Sequence, residues 1–343
     1  MRGAVILDPV RMAEAGYVDV EALLRIATWK RNQRVLRRVL AGLGVASLVV
    51  ASLLLAISEP ARAALELEGM DLTRPRILFF PDGVEVVQAR LDREPYRTIL
   101  ADMERRSRLA DGIALDDHRI AETRFKARAA KNRAFLYAID RRVEGDQAMP
   151  FPSAQERQAE GDRVRDWLLH LHDCSRLAPD CAFGGWDRDI STSEELLQFA
   201  TAYDALLGAG YAFEPADEAV IVEKLVNLAS QLYENYVFPE TALNVADLHQ
   251  NNHRSKTGAA LAVAAVVLAE YTPPPGDDPR GIREPDAWLA YGLDMVDLIQ
   301  RWVLMTGDGA YAEGPFYQRF THQNILPFAR AWDRLVDGAS VMA

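Results

Sequence analysis

From Val84 to the end, the chain divides into nine segments whose apolar residues recur at helical spacing. No stretch between them alternates convincingly as a strand does. The segments run roughly over 84–91, 95–108, 118–140, 154–172, 192–208, 215–236, 252–271, 285–306 and 322–336. Such a succession predicts an all-α body. No internal period of the kind that marks repeat solenoids is present. Helices of mixed length joined by polar loops suit an incomplete (α/α) toroid, in which helical hairpins wind part of the way round a ring. Local signals mark several ends. Ser191, Thr192 and Ser193, followed by Glu194 and Glu195, supply N-cap hydroxyls and first-turn acids. Gly208 and Gly210 stop that helix. The proline-rich stretch Pro273 to Pro279 is a hinge-like loop between helices, not a domain linker. Arg74 to Phe80 is extended, since Pro75 disfavours helix in the residue before it.

The region before this body differs in charge and hydropathy. Val39 to Ser58 is an uncharged run of 20 residues, preceded by Arg34, Arg37 and Arg38 and followed by Ala61-Arg62-Ala63. Basic flank, apolar run and small-x-small site are the parts of a secretory signal peptide. The run is also long enough to span a bilayer as a helix. Residues 1–63 therefore read as a leader, either an uncleaved signal anchor or a signal peptide whose true start is near Val35. Residues 64–343 read as the exported domain, periplasmic or secreted, touching a membrane only through 39–58 if the leader is kept. The formal charge of −11 splits accordingly. The first 63 residues hold nine Lys/Arg against five Asp/Glu, so the remainder stands at −15. An acidic body argues against nucleic acid as a partner, because such binding rests on neutralising phosphates. It leans only slightly against a polyanionic substrate, which a local basic cleft can still attract.

Cys174 and Cys181 are the only cysteines. In an exported chain, a close pair around a proline-containing loop reads as a local disulfide. A metal site with His170 and His172 is the rival reading, but the spacing does not match the usual zinc patterns. No metal and no cofactor is expected.

Two polar clusters carry the chemistry. His249-Gln250-Asn251-Asn252-His253-Arg254 supplies amide donors and an imidazole that titrates near neutrality, at the mouth of a small-residue, buried helix. Asp308 to Tyr317 is a loop punctuated by Gly309 and Gly314 and stiffened by Pro315, so that its side chains are held in place. Taken singly, the first is also explained as a cap with a satisfied histidine, and the second as a turn with aromatics packed inward. Together they hold what abstraction of a proton beside a carboxylate requires: a group that neutralises the carboxylate and groups that move the proton.

Asn251-Asn252-His253, the Asp308-Gly309-x-Tyr311-x-Glu313-Gly314-x-x-Tyr317 pattern and the segment Ser193 to Asp204 resemble the heparinase II/III and alginate lyase-type polysaccharide lyases. Arg74 to Phe79 is similar to the start of their helical domain. The resemblance runs from about Thr73 to Leu335. It implies β-elimination on a polysaccharide containing uronic acid. Asn252, helped by His253, would neutralise the uronate carboxylate. Tyr317 would protonate the leaving glycosidic oxygen, and His253 or Tyr317 would take the C5 proton. Gln250, Asn251, Arg254, Glu313 and His322 are candidates for binding the acidic chain, and Trp186 and Tyr203 for stacking on sugar rings. Family members usually continue into further helices and a β-sandwich, so the chain is expected to be truncated at its C-terminus.

Two other functions fit the same features. One is a toroid glycoside hydrolase using Asp308 and Glu313 as its two carboxylates. The other is a non-catalytic exported protein that binds glycans. The identity of the sugar, the stereochemistry of elimination and endo or exo action are not written in these motifs.

Overall fold

The computed structural model describes residues 70–336 apart from 71, 79–82, 146, 173–187, 237–251, 277, 279–280 and 303–314; at 120, 188–189, 235–236, 252–254, 297–302 and 315–320 it describes the backbone alone. The chain divides into two compact units, Met1–Ser58 and Glu59–Ala343, and every described residue lies in the second. The apolar run 39–58 lies outside the described residues. Among these, no helix is long and apolar enough to cross a membrane.

The described residues are mostly helical. In chain order the helices are α1 (Gly83–Gln88), α2 (Tyr96–Arg108), α3 (Ile120–Ala138), α4 (Ala154–Leu169), α5 (Arg188–Gly208), α6 (Pro215–Tyr236), α7 (Asn252–Val267), α8 (Pro285–Trp302) and α9 (Pro315–Leu335). Their starts follow local chemistry. Ser153 Oγ accepts from the Glu156 amide at 3.1 Å, which caps α4. Pro215, Pro285 and Pro315 occupy the first position of α6, α8 and α9, where a missing N–H costs nothing. Helix α5 ends in a Schellman arrangement: Gly210 has φ 77°, Tyr211 N donates to Leu206 O and Gly210 N to Leu207 O, each at 3.0 Å.

Three expectations need correction. Helix α9 begins at Pro315, seven residues before the expected start, so Tyr317 lies in a helical first turn and not in a loop. Helix α5 begins at Arg188, so Ser191, Thr192 and Ser193 are buried inside it and do not cap it. A two-stranded antiparallel sheet is also present, β1 (Arg142–Glu144) with β2 (Gln147–Met149), in register Val143 to Ala148. Each strand has only three residues, too short to show alternation. The Gly145-Asp146 pair between them is a hairpin signal, and Gly145 takes φ 67°. Val143 joins Leu91, Leu100, Leu136 and Ile139 in a small second core under this hairpin.

The main core follows from how alternate helices meet. Helix α3 packs on α5, α5 on α7, and α7 on both α8 and α9. Helix α4 lies against α3 and α5, and α6 against α5 and α7. Helix α7 is at the centre, buried on all sides from Ser255 to Leu268, as its run of small residues predicts. Its contact with α8 is backbone-close. A Cβ on Gly292 would meet Ala262 Cβ at 2.5 Å and the Gly258 carbonyl at 2.8 Å.

A strap formed by residues 72–78 crosses the C-terminal ends of α5, α7 and α9. Asp204 Oδ1 accepts from Arg74 at 3.1 Å, while Oδ2 accepts from the backbone amides of Arg76 at 2.7 Å and Ile77 at 3.0 Å. Arg74 and Arg76 donate to the Val267 and Val266 carbonyls, each at 2.9 Å, filling acceptors that the end of α7 leaves open. Arg334 of α9 donates to the Arg76 and Ile77 carbonyls at 2.7 and 2.8 Å. Gly208 lets the strap approach, since a Cβ there would lie 2.3 Å from Pro75 N.

Candidate functional site

Because the strap gathers the C-terminal ends of α5, α7 and α9, their N-terminal ends share the opposite end of the body. Ser193 of α5 confirms the parallel course by donating to Thr257 Oγ1 of α7 at 3.2 Å. Measured back from the strap, His253 is about 20 Å along α7 and Tyr317 about 25 Å along α9. The backbone thus brings positions 252, 253 and 317, distant in sequence, into the first turns of two packed, parallel helices. Arg254 shares the first turn of α7. His322 is half-buried on α9, between the buried residues Thr321 and Asn324. Gln250, Asn251, Glu313, Asp308, Trp186, Cys174 and Cys181 lie outside the described residues.

Tyr203 is placed elsewhere. It is in the C-terminal half of α5, its hydroxyl donates to Glu218 Oε1 at 2.8 Å, and the Arg74 guanidinium sits 5.7 Å from its ring centroid. At 3% exposure it belongs to the core beside the strap, with no face left for a sugar.

One turn into α7 from position 252, on the same face, is Lys256, and it opens a charged cluster that the sequence reading missed. Lys256 Nζ donates to Glu194 Oε2 of α5 at 3.0 Å. Arg124 of α3 reaches the same oxygen at 2.6 Å, and Arg128 of α3 binds Oε1. Burial alone would push the Glu194 carboxyl up, but Lys256, Arg128 and Arg124 together hold it at about 2. The pairing is asymmetric. Lys256 shares its carboxylate with two guanidiniums, so burial outweighs attraction and brings its ammonium down to about 8. Lys131, further along α3, is likewise lowered to about 8 by burial, opposed by Glu194 and reinforced by Arg128.

The neighbouring Glu195 faces a second cluster. It is buried, its Oε1 has no hydrogen-bond partner among the described residues, and burial pushes its carboxyl up to about 8 against the influence of Lys126 and the His172 amide. Lys126 is also buried and donates to the Leu115 carbonyl at 2.7 Å. His172 stacks on His118 with ring centroids 4.3 Å apart, and burial lowers His172 to about 4. His170 lies apart from this pair, its Nδ1 2.8 Å from the Asp166 carbonyl. Among the described residues, no three His, Cys, Asp or Glu side chains are grouped to hold a metal ion.

The signal for both clusters was present in the sequence. Lys256 is a lone charge entering a run of small apolar residues, and Arg124, Arg128 and Lys131 recur at i, i+4 and i+7. Reading Glu194 and Glu195 as first-turn acids concealed their role as buried partners. Elsewhere, a groove between α2, α3, α4 and the hairpin is lined by five arginines and four acids, and there Arg133 binds Asp111 at 2.9 Å and Glu160 at 2.5 Å. Comparison with protein-family models, curated proteins and solved structures gave no match.

Proposed function

We propose that the chain is an exported polysaccharide lyase built on an incomplete (α/α) toroid, cleaving a uronic-acid-containing glycan by β-elimination. The observation that carries this reading is the convergence of positions 252, 253 and 317 at one end of the parallel helices α7 and α9, one turn from the buried Lys256–Glu194 pair. The layering of α3, α5, α7 and α9, with α4 and α6 flanking, supports the toroid.

In the reaction, Asn252 and His253 neutralise the uronate carboxylate, which makes the C5 proton acidic enough to remove. His253 or Tyr317 takes that proton. The C5–H electron pair becomes the C4–C5 double bond, the C4–O bond breaks, and Tyr317 gives a proton to the departing oxygen. No cofactor is required by this scheme.

The test is the product. The full chain incubated with alginate, hyaluronan and heparan sulfate should yield an unsaturated uronate that absorbs in the ultraviolet from at least one of them. New reducing ends without that absorbance would establish hydrolysis instead, with Asp308 and Glu313 as the carboxylates to test.

A further inference from the structure

The groove between α2, α3, α4 and the hairpin encloses about 390 Å³, within the size range of small-molecule sites. Its wall combines guanidiniums and carboxylates with an apolar side made by Leu136, Val143 and Phe151. Three of its four acids already accept from its arginines. Both Asp111 oxygens accept from Arg133 Nη2 at 2.9 Å. Glu160 accepts from Arg133 Nη1 at 2.5 Å and from Arg163 at 3.4 Å, and Glu104 accepts from Arg108 at 2.9 Å. The fourth, Glu156, is exposed in the first turn of α4.

The donors are less completely used. Arg133 Nε and Arg142 Nε are buried and have no acceptor among the described residues. The Arg133 side chain is only 4% exposed, its two terminal nitrogens are held by Asp111 and Glu160, and its guanidinium lies 5.6 Å from the Trp167 ring centroid. Pinned in this way, it cannot swing out towards water. Arg142 binds Glu144 through Nη2, and Arg141 donates from Nη1 to the Asp140 carbonyl. Val143, anchored in the small second core, holds both hairpin arginines beside the groove. A buried donor left without an acceptor costs about 1–3 kcal/mol, so such an atom in a folded protein calls for a partner. What this wall lacks is acceptor oxygen.

We propose that the groove is a binding site for a small organic oxyanion, a carboxylate or phosphate carried on an apolar ring. Arg141 and Arg142 grip the oxyanion, since guanidinium forks match the paired oxygens of either group. The ring lies against Phe151, Leu136 and Val143, where its apolar surface leaves water. The site is independent of the lyase reading, because it is built on α2, α3, α4 and the hairpin and shares no residue with the mouth of α7 and α9.

The experiment is calorimetric titration of the full chain with benzoate and with phenyl phosphate. Inorganic phosphate, benzyl alcohol and benzylamine serve as comparison ligands. At least one ring oxyanion should bind, and the tighter of the two identifies the charged group. Arg141 and Arg142 are both partly exposed on the hairpin, so thermal melts should show Arg141→Gln and Arg142→Gln folded. Each should weaken binding about tenfold. Arg105→Gln, on the exposed side of α2 and outside the groove, should change nothing. Benzyl alcohol, which lacks the charge, should bind weakly and equally to wild type and variants. A wild-type chain that binds neither ring oxyanion overturns the proposal, as does binding that neither hairpin variant weakens. Benzylamine binding more tightly than both would show that the acids govern the groove, and would overturn it too. Inorganic phosphate matching phenyl phosphate would overturn the assignment of the ring.

Discussion

Helices α5 and α7 carry buried charge at both ends, and the two ends are built on opposite principles. At the strap, each Asp204 oxygen has a donor, Arg74 and Arg76 also cover the last carbonyls of α7, and Arg334 ties α9 to the Arg76 and Ile77 carbonyls. Burial pushes the Asp204 carboxyl up, and Arg74 and the two amides pull it back. At the other end, among the described residues, Glu194 binds three cations, Glu195 keeps an oxygen without a partner, and His118 Nδ1 is buried without one. A densely connected polar network specifies and stiffens a structure. Partial satisfaction is tolerated where a ligand or a reaction supplies what is missing. On the proposed function, the strap end is architecture and the mouth of α7 and α9 is where chemistry takes place.

The largest expected effect is at the strap. Replacing Asp204 with Ala leaves two backbone amides and Arg74 Nη1 without their acceptor, and should cost about 3–5 kcal/mol of stability in urea denaturation. Substrate binding per folded molecule should not change. If instead binding is lost while stability holds, the division of labour between the ends is wrong. Gly208→Ala acts on the same strap by steric means. Its Cβ would overlap Pro75 backbone, and about 1–3 kcal/mol is expected as the strap is displaced.

The third prediction concerns the other end and depends on pH. Glu195 has its folded pKa raised to about 8 from an ordinary 4.5, so the folded state holds a proton that the unfolded chain has released. Its contribution to stability is complete below pH 4.5 and is lost as pH rises towards 8. His172, lowered to about 4, acts in the opposite sense, but only below pH 6.5, where the unfolded imidazole charges. Between pH 6.5 and 8 the His172 effect is absent, and comparing the two proteins cancels the lysines that titrate near 8 in both. Glu195→Gln, a mimic of the protonated acid, should gain about 2 kcal/mol relative to wild type over that interval. Parallel melting curves for the two proteins across the interval would show that the Glu195 carboxyl releases its proton in the folded state as readily as in the unfolded chain.

What could be read in advance follows from the range of each cause. Helix existence depends on residues three or four apart, and the expected segments match the observed helices to within a few residues except at α5 and α9. Both exceptions start earlier than expected because Pro315 and Arg188 open helices ahead of the apolar run, where periodicity carries no signal. The strap was legible as extended chain from Pro75, but not its destination, since Asp204 and Arg334 lie more than a hundred residues away. The proposed site was legible in part for the same reason. Asn252, His253 and Tyr317 are marked by composition, whereas Glu194 and Lys256 acquire meaning only when α5 and α7 lie side by side. Tyr203 shows the converse: an aromatic in a suggestive segment proves to be core once the packing is known.

The most direct test of the assignment of chemistry to the mouth of α7 and α9 is Tyr317→Phe, assayed by ultraviolet absorbance on the uronate polymer that the wild-type chain cleaves. Loss of the phenolic proton donor should lower turnover at least about a hundredfold while binding of a tetrasaccharide from that polymer and the melting temperature stay as in wild type. Full eliminase activity in the Tyr317→Phe chain would contradict the account.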